Sequence, residues 1–123
     1  MNILLDTHIF LWAIAEPSRL SETQISELET ASNRVYVSAV SVTEIMIKAS
    51  LGKITVDFNP VEIAEKSGFE LLSFSGNDAL PLASLPFHHR DPFDRMLIAQ
   101  SIVRNLPIMT NDSKFSAYDL KLI

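Results

Sequence analysis

The chain contains no cysteine. That excludes disulfides, thiolate zinc sites and a cysteine nucleophile, and it agrees with a reducing compartment. No run of about 18 apolar residues occurs either, and the opening Met-Asn-Ile-Leu-Leu-Asp lacks a basic segment followed by an apolar one. The expectation is a soluble, uncleaved protein of the cytoplasm with no membrane partner. Glycine is scarce, with three residues, and there is no repeat, low-complexity tract or linker, so residues 1–123 are expected to form a single domain. Positive charge is scarce too: ten Lys and Arg face fifteen Asp and Glu, for a net charge of −5. A protein that grips nucleic acid by bulk electrostatics is therefore disfavoured. A nuclease is not, because carboxylates that hold divalent metal import positive charge where a phosphate sits.

What is present is a hydrophobic content of 47% in 123 residues, enough for one core without a covalent staple. Ile3 to Leu5 is a short apolar run expected to be a buried strand, and Thr7 to Ala15 has helical spacing that stops before Glu16-Pro17. Ser21-Glu22-Thr23-Gln24 has the capping-box pattern, with Leu20 as staple, and opens a helix to about Ser32. Val35 to Ala39 is read as a second strand. Ser41-Val42-Thr43-Glu44 is another capping-box pattern, which puts Glu44 in the first turn of a helix that Gly52 stops.

Asn59-Pro60 starts the next helix and Gly68 closes it before a strand over residues 70–74. A short helix around Gly76 to Ala83 follows. Asp91-Pro92-Phe93-Asp94 then supplies an N-cap, a proline at the first helical position and an acidic first turn for a long helix to about Asn105. A strand over residues 107–110 and a short tail complete the chain. Strands alternating with helices predict an α/β domain with a mainly parallel sheet flanked by helices on both faces.

Ligands of such sheets bind beyond the carboxyl ends of the strands. The acids to consider are therefore Asp6 and Asp112, which follow strands, and Glu44 and Asp94, which fall in helix first turns. Converging carboxylates repel by roughly 1 kcal/mol per close pair in water and roughly 4 kcal/mol at an effective dielectric near 20, so such a cluster calls for cations. All-oxygen ligation points to Mg²⁺ or Mn²⁺ and to hydrolysis of a phosphodiester by an activated water.

The segments Leu4-Leu5-Asp6-Thr7-His8, Ser38 through Ile45, His88 through Gln100 and Thr110-Asn111-Asp112 together resemble the PIN-domain family, and among these the VapC-type toxins of VapBC toxin–antitoxin pairs. The resemblance implies a PIN-like α/β/α sandwich and a metal-dependent endoribonuclease. It also implies Asp6, Glu44, Asp94 and Asp112 as catalytic and metal-binding residues, a homodimer, an RNA substrate and a cognate antitoxin.

Each acid also has a purely structural reading. Asp6 can cap the helix at Thr7, Glu44 can complete a capping box, Asp94 can serve the helix dipole and Asp112 can belong to a polar turn. Asp91, just before Pro92, is assigned to the N-cap. Thr7 and Thr110 are expected to hold a carboxylate or a water, while Arg90 and Arg95, with His88 and His89, are read as touching phosphate or as an exposed loop. The apolar stripe of Phe10, Leu11, Trp12, Ile14, Ile45, Met46 and Ile47 is mostly expected to be core, and the resemblance implies that part of it forms a groove for an antitoxin helix.

Rival classes fit less well. Phosphatases that form an aspartyl phosphate place a second aspartate two residues after the first, where this chain has His8. Receiver domains want adjacent acids after the first strand, and Asp6 has Leu5 and Thr7 beside it. The alternative carried forward is a catalytically inactive PIN-like scaffold or RNA-binding module.

Overall fold

The computed structural model describes residues 1–123. Four strands form one all-parallel sheet: β1 (Asn2–Leu5), β2 (Arg34–Ser38), β3 (Glu70–Leu72) and β4 (Ile108–Met109), in the order β3-β2-β1-β4. Strand β1 runs centrally, with Leu4 opposite Tyr36 on one side and Ile108 on the other. Alternation along the strands splits the core in two. Ile3, Leu5, Val35, Val37 and Met109 face one apolar cluster, while Leu4 and Ile108 face the second.

Helices cover both faces. Ile9 and Phe10 of α1 (Thr7–Ala15), Ile25 and Leu28 of α2 (Glu22–Glu29), Ile45 of α3 (Ala39–Ser50) and Ala64 of α4 (Pro60–Lys66) pack on the first cluster. Leu97 and Ile98 of α6 (Pro92–Arg104) join the second, with Phe115 and Tyr118 beyond β4. This is the expected α/β/α arrangement, and no helix is long and apolar enough to cross a membrane.

Local signals account for most boundaries. Ser21 and Gln24 close the expected capping box on α2, Asn59 caps α4 ahead of Pro60, and Asp91 caps α6 by accepting from the Asp94 backbone N–H. Gly52 and Gly68 take positive φ, 70° and 83°, just past α3 and α4, a conformation a Cβ would strain. Residues 76–83 divide into α5 (Gly76–Ala79) and a 3₁₀ turn.

Three expectations are corrected. Helix α2 ends at Glu29, before Ser32. The strand expected to reach Phe74 stops at Leu72, the last residue paired with β2 through Ser38. Helix α3 begins at Ala39, three residues early, because Ser38 at the end of β2 caps it by accepting from the Val40 N–H. Ser41 therefore lies inside the helix, buried, where it accepts a hydrogen bond from Thr7 Oγ1. Glu44 stands in the second turn and not the first.

Candidate active site

All strands run in parallel, so their carboxyl ends share one edge. The chain places β2 and β3 on one side of β1 and then returns to place β4 on the other, so the crevice between the ends of β1 and β4 is the switch point where ligands of such sheets bind. Asp6 and Thr110 flank it. Thr110 Oγ1 donates to Asp6 Oδ2, while the other oxygen, Oδ1, accepts from the Ile9 N–H at 2.7 Å and caps α1. Asp6 thus fills its structural role and faces the crevice as well. A cleft lined by Asp6, His8, Trp12, Asn111 and Asp112 opens there. A larger groove of about 520 Å³ lies at the opposite end of the strands, near Asn2, Pro107 and Lys121, away from the four acids.

Glu44 is 3% exposed. Its Oε2 is paired with Lys48 one turn along α3, and its Oε1 is buried without a partner. The loop from Leu85 to Asp91 brings His89 into the site. His89 Nε2 lies 2.9 Å from Asp112 Oδ2, to which it is hydrogen-bonded, and 2.9 Å from Asp94 Oδ2. One ligand atom from each of His89, Asp94 and Asp112 fits within a mutual distance of 4.8 Å. Asp112 Oδ1 accepts from the Lys114 N–H, and the Asp112 N–H donates to Thr110 Oγ1. Thr110 therefore ties Asp6 to Asp112.

The electrostatics are those of negative charge held out of water. Burial raises the Asp6 carboxyl above its ordinary value, opposed by the Thr110 hydroxyl and the Ile9 N–H. Asp94 is pushed up to about 7, chiefly by burial and then by the charge of Asp91, with Glu44 and Asp6 adding to it and His89 opposing. Asp94 thus lies in the field of Glu44 and Asp6, and Asp6 in that of Asp112. For Asp112, burial is outweighed by the Lys114 N–H and the His89 hydrogen bond, which hold its carboxyl below the usual range. Hydrogen bonding to Glu44 raises Lys48.

This donor set fits a hard divalent cation. Oxygen donors dominate, Glu44 Oε1 is a buried acceptor lacking a donor, and Lys48 is the one lysine ion-paired with these acids. Asp94 and Asp112, which lie together, and Asp6 and Glu44 beside them are the acids that could hold it.

Of the accessory residues, Thr7 and Thr110 lie at the site and make the side-chain contacts just described. Arg90 is exposed. Arg95 corrects the expectation that it touches phosphate: it is buried, and its guanidinium donates to the carbonyls of Leu85, Pro86 and His89. It builds the loop and does not face solvent. His89, expected to touch phosphate or lie exposed, is buried among the acids, while His88 is exposed against Tyr118. Sequence reasoning missed this role because it depends on how a loop without regular structure folds back. The only local signal is the spacing His-x-Asp-Pro-x-Asp, which sets the ring beside the cap of α6.

A family model for the PIN domain matches residues 3–121. The chain belongs to the PIN-domain family. No curated protein matches it in sequence, but solved structures share the PIN fold over nearly full length. A VapBC2 complex from Rickettsia felis, bound to a promoter DNA fragment, aligns with a TM-score of 0.75 at 21% identity, covering 100% of this chain and 98% of that one. A DNA-bound VapBC from Salmonella typhimurium gives 0.73 at 16%, covering 100% and 97%. VapBC-5 from Mycobacterium tuberculosis gives 0.63 at 21%, covering 99% and 97%. At these identities the likeness is one of PIN fold.

Proposed function

We propose that this PIN domain is a metal-dependent endoribonuclease that hydrolyses RNA phosphodiester bonds, with Asp6, Glu44, Asp94 and Asp112 as its catalytic and metal-binding residues and Mg²⁺ or Mn²⁺ as the ion. The observation that carries the reading is the buried Glu44 Oε1 without a hydrogen-bond partner, beside an Asp94 carboxyl pushed up to about 7 by burial and by neighbouring acids, Glu44 among them. When bound, a divalent cation supplies charge that stabilises the leaving oxygen and lowers the pKa of water. The protein's own groups do the positioning. Thr110 fixes Asp6, Lys48 fixes one oxygen of Glu44 and leaves the other for a ligand, and the Lys114 N–H and His89 set the rotamer of Asp112. Site chemistry requires groups held within roughly 0.5 Å of the productive geometry, and these contacts restrain Asp6, Glu44 and Asp112.

The fold it shares with VapBC complexes supports a role as the toxin of a type II pair, acting in the cytoplasm as a homodimer restrained by an antitoxin. Met46 and Ile47 on α3 are each 42% exposed, and Leu51 is 62% exposed. With half-buried Leu11, Trp12 and Ile14 of α1 they offer apolar surface for an antitoxin helix. One observation favours the inactive-scaffold alternative: Lys48 and His89 already give two of the acids protein partners.

The test is incubation of a cellular RNA pool with purified protein in Mg²⁺, in Mn²⁺ and in chelator, alongside Asp6→Asn. Metal-dependent cleavage by the wild type alone is expected. Cleavage that persists in chelator or in the variant would sink the proposal, and no cleavage under any condition would favour the scaffold. For the toxin role, growth should arrest on expression and recover when the neighbouring gene product is co-expressed.

A further inference from the structure

The proposed mechanism uses four acids but leaves His89 without a function of its own. Its imidazole is 5% exposed and held from every side. The backbone N–H donates to Tyr118 Oη at 2.9 Å, the carbonyl accepts from Arg95, and the ring packs edge-to-face with Phe115, centroids 5.6 Å apart. The ring nitrogens are not equivalent. Nδ1 lies 3.2 Å from the backbone nitrogen of Asp91, which can only donate, so Nδ1 is an acceptor and carries no proton. In the neutral ring the proton then sits on Nε2 and points at Asp112 Oδ2. A protonated Nε2 has no lone pair for a cation. Ligation through Nε2 would require the proton to move to Nδ1, where it would collide with the Asp91 N–H that the start of α6 fixes in place.

Asp112 needs such a partner. Its side chain is 36% exposed, against 16% for Asp94, and it stands on the short 3₁₀ turn after β4 rather than on a long helix. An Asp94 oxygen lies within 4.8 Å in the same cluster, and whenever Asp94 is ionised its like charge drives an unrestrained Asp112 carboxylate outward to water. We infer that His89 is a positioning residue that donates from Nε2 to Asp112 and holds that carboxylate beside Asp94, without itself ligating the cation. The inference rests on the proposed metal site only for what Asp112 is positioned to do. The hydrogen bond and the tautomer stand apart from it.

Two measurements test it separately. A long-range proton–nitrogen correlation spectrum of the wild type, prepared free of metal, should place a proton on His89 Nε2. An Nε2 without a proton would overturn the inference whatever the metal does. Calorimetric titration with Mn²⁺ should then show His89→Phe weakened about tenfold, the usual loss when a group that orients a ligand is removed. His89→Gln, whose amide N–H can reach Asp112, should keep most of the affinity and confirms that the site survives substitution. Pulsed electron paramagnetic resonance of the wild-type Mn²⁺ complex should lack directly coordinated nitrogen. Such a nitrogen signal, or unaltered affinity in His89→Phe, would overturn the assignment. No Mn²⁺ binding by the wild type, with the expected tautomer present, would overturn the metal reading and leave the His89–Asp112 contact standing.

Discussion

Asp78 and Asp94 are both buried carboxylates placed near opposite ends of α6, and they are held in opposite electrostatic states. Asp78, at 0% exposure, accepts from Arg104 Nε at 2.9 Å and Nη2 at 3.1 Å, from Gln100 Nε2 and from the Ser75 N–H, and Arg104 brings its carboxyl down to about 2. Asp94 has no arginine. Burial and the charges of Asp91, Glu44 and Asp6 drive it to about 7. Burial alone therefore does not decide the state of an acid; the sign of its neighbours does. One aspartate is spent on holding α5 to α6, while the other is kept costly and available.

If Asp94 is held for a cation, Asp94→Asn should reduce metal-dependent RNA cleavage by more than about 100-fold, beyond the usual loss from an outer group, as read in single-turnover assays. The same variant should melt, without metal, no lower than the wild type. A clear drop in melting temperature would mean that Asp94 is a structural acid like Asp78. Conversely, Asp78→Asn should cost about 1.5–3 kcal/mol in urea unfolding, the range for hydrogen bonds to charged groups, and should leave Mn²⁺ affinity unaltered. Lost metal affinity there would break the division of roles.

The two acids also predict opposite responses to pH. Asp94, raised from 3.8 to about 7, binds its proton more tightly folded than unfolded, so its contribution is fully present below about pH 4 and is lost as pH rises through 7. Asp78, lowered from 3.8 to about 2, contributes above about pH 4 and loses that contribution as pH falls through 2. Unfolding of metal-free protein across this range should therefore show stability eroding between pH 4 and 7, less so in Asp94→Asn. Mn²⁺ binding below pH 7 should release a proton, detectable as a buffer-dependent heat. The smallest effect is that of Thr110→Val, expected to cost about 1 kcal/mol in urea unfolding for its lost hydrogen bonds.

Much of this arrangement is legible in the sequence. The extent of α1, the Asn59-Pro60 and Asp91-Pro92 starts and the two glycine stops are local, decided by side chains within a turn of the boundary. The start of α3 was not, because Ser38 and Ser41 both offer a capping hydroxyl and the pairing of Ser38 with Leu72 favours the earlier one. The four acids could be ranked because they follow strands or open helices, although α3 brings Glu44 in from its second turn. His89 and Arg95 escaped the same reasoning, since a buried imidazole and a buried guanidinium depend on contacts with Tyr118, Asp112 and the Leu85–Pro86 turn that no periodicity encodes.

Arg95 carries a consequence for how the molecule assembles. The segment from Leu85 to Asp91 has no helix or strand of its own, and its carbonyls are closed by a side chain from α6, with Phe87 lying 3.9 Å over the same guanidinium. A planar fork is needed to serve three carbonyls at once, so a lysine would not replace it. The loop can close only after α6 has formed and docked. In folding, the sheet and its helices should therefore come first and His89 last, and in the native protein the loop should open below the free energy of global unfolding. Hydrogen exchange at the His89 amide should run faster than in β1 for that reason.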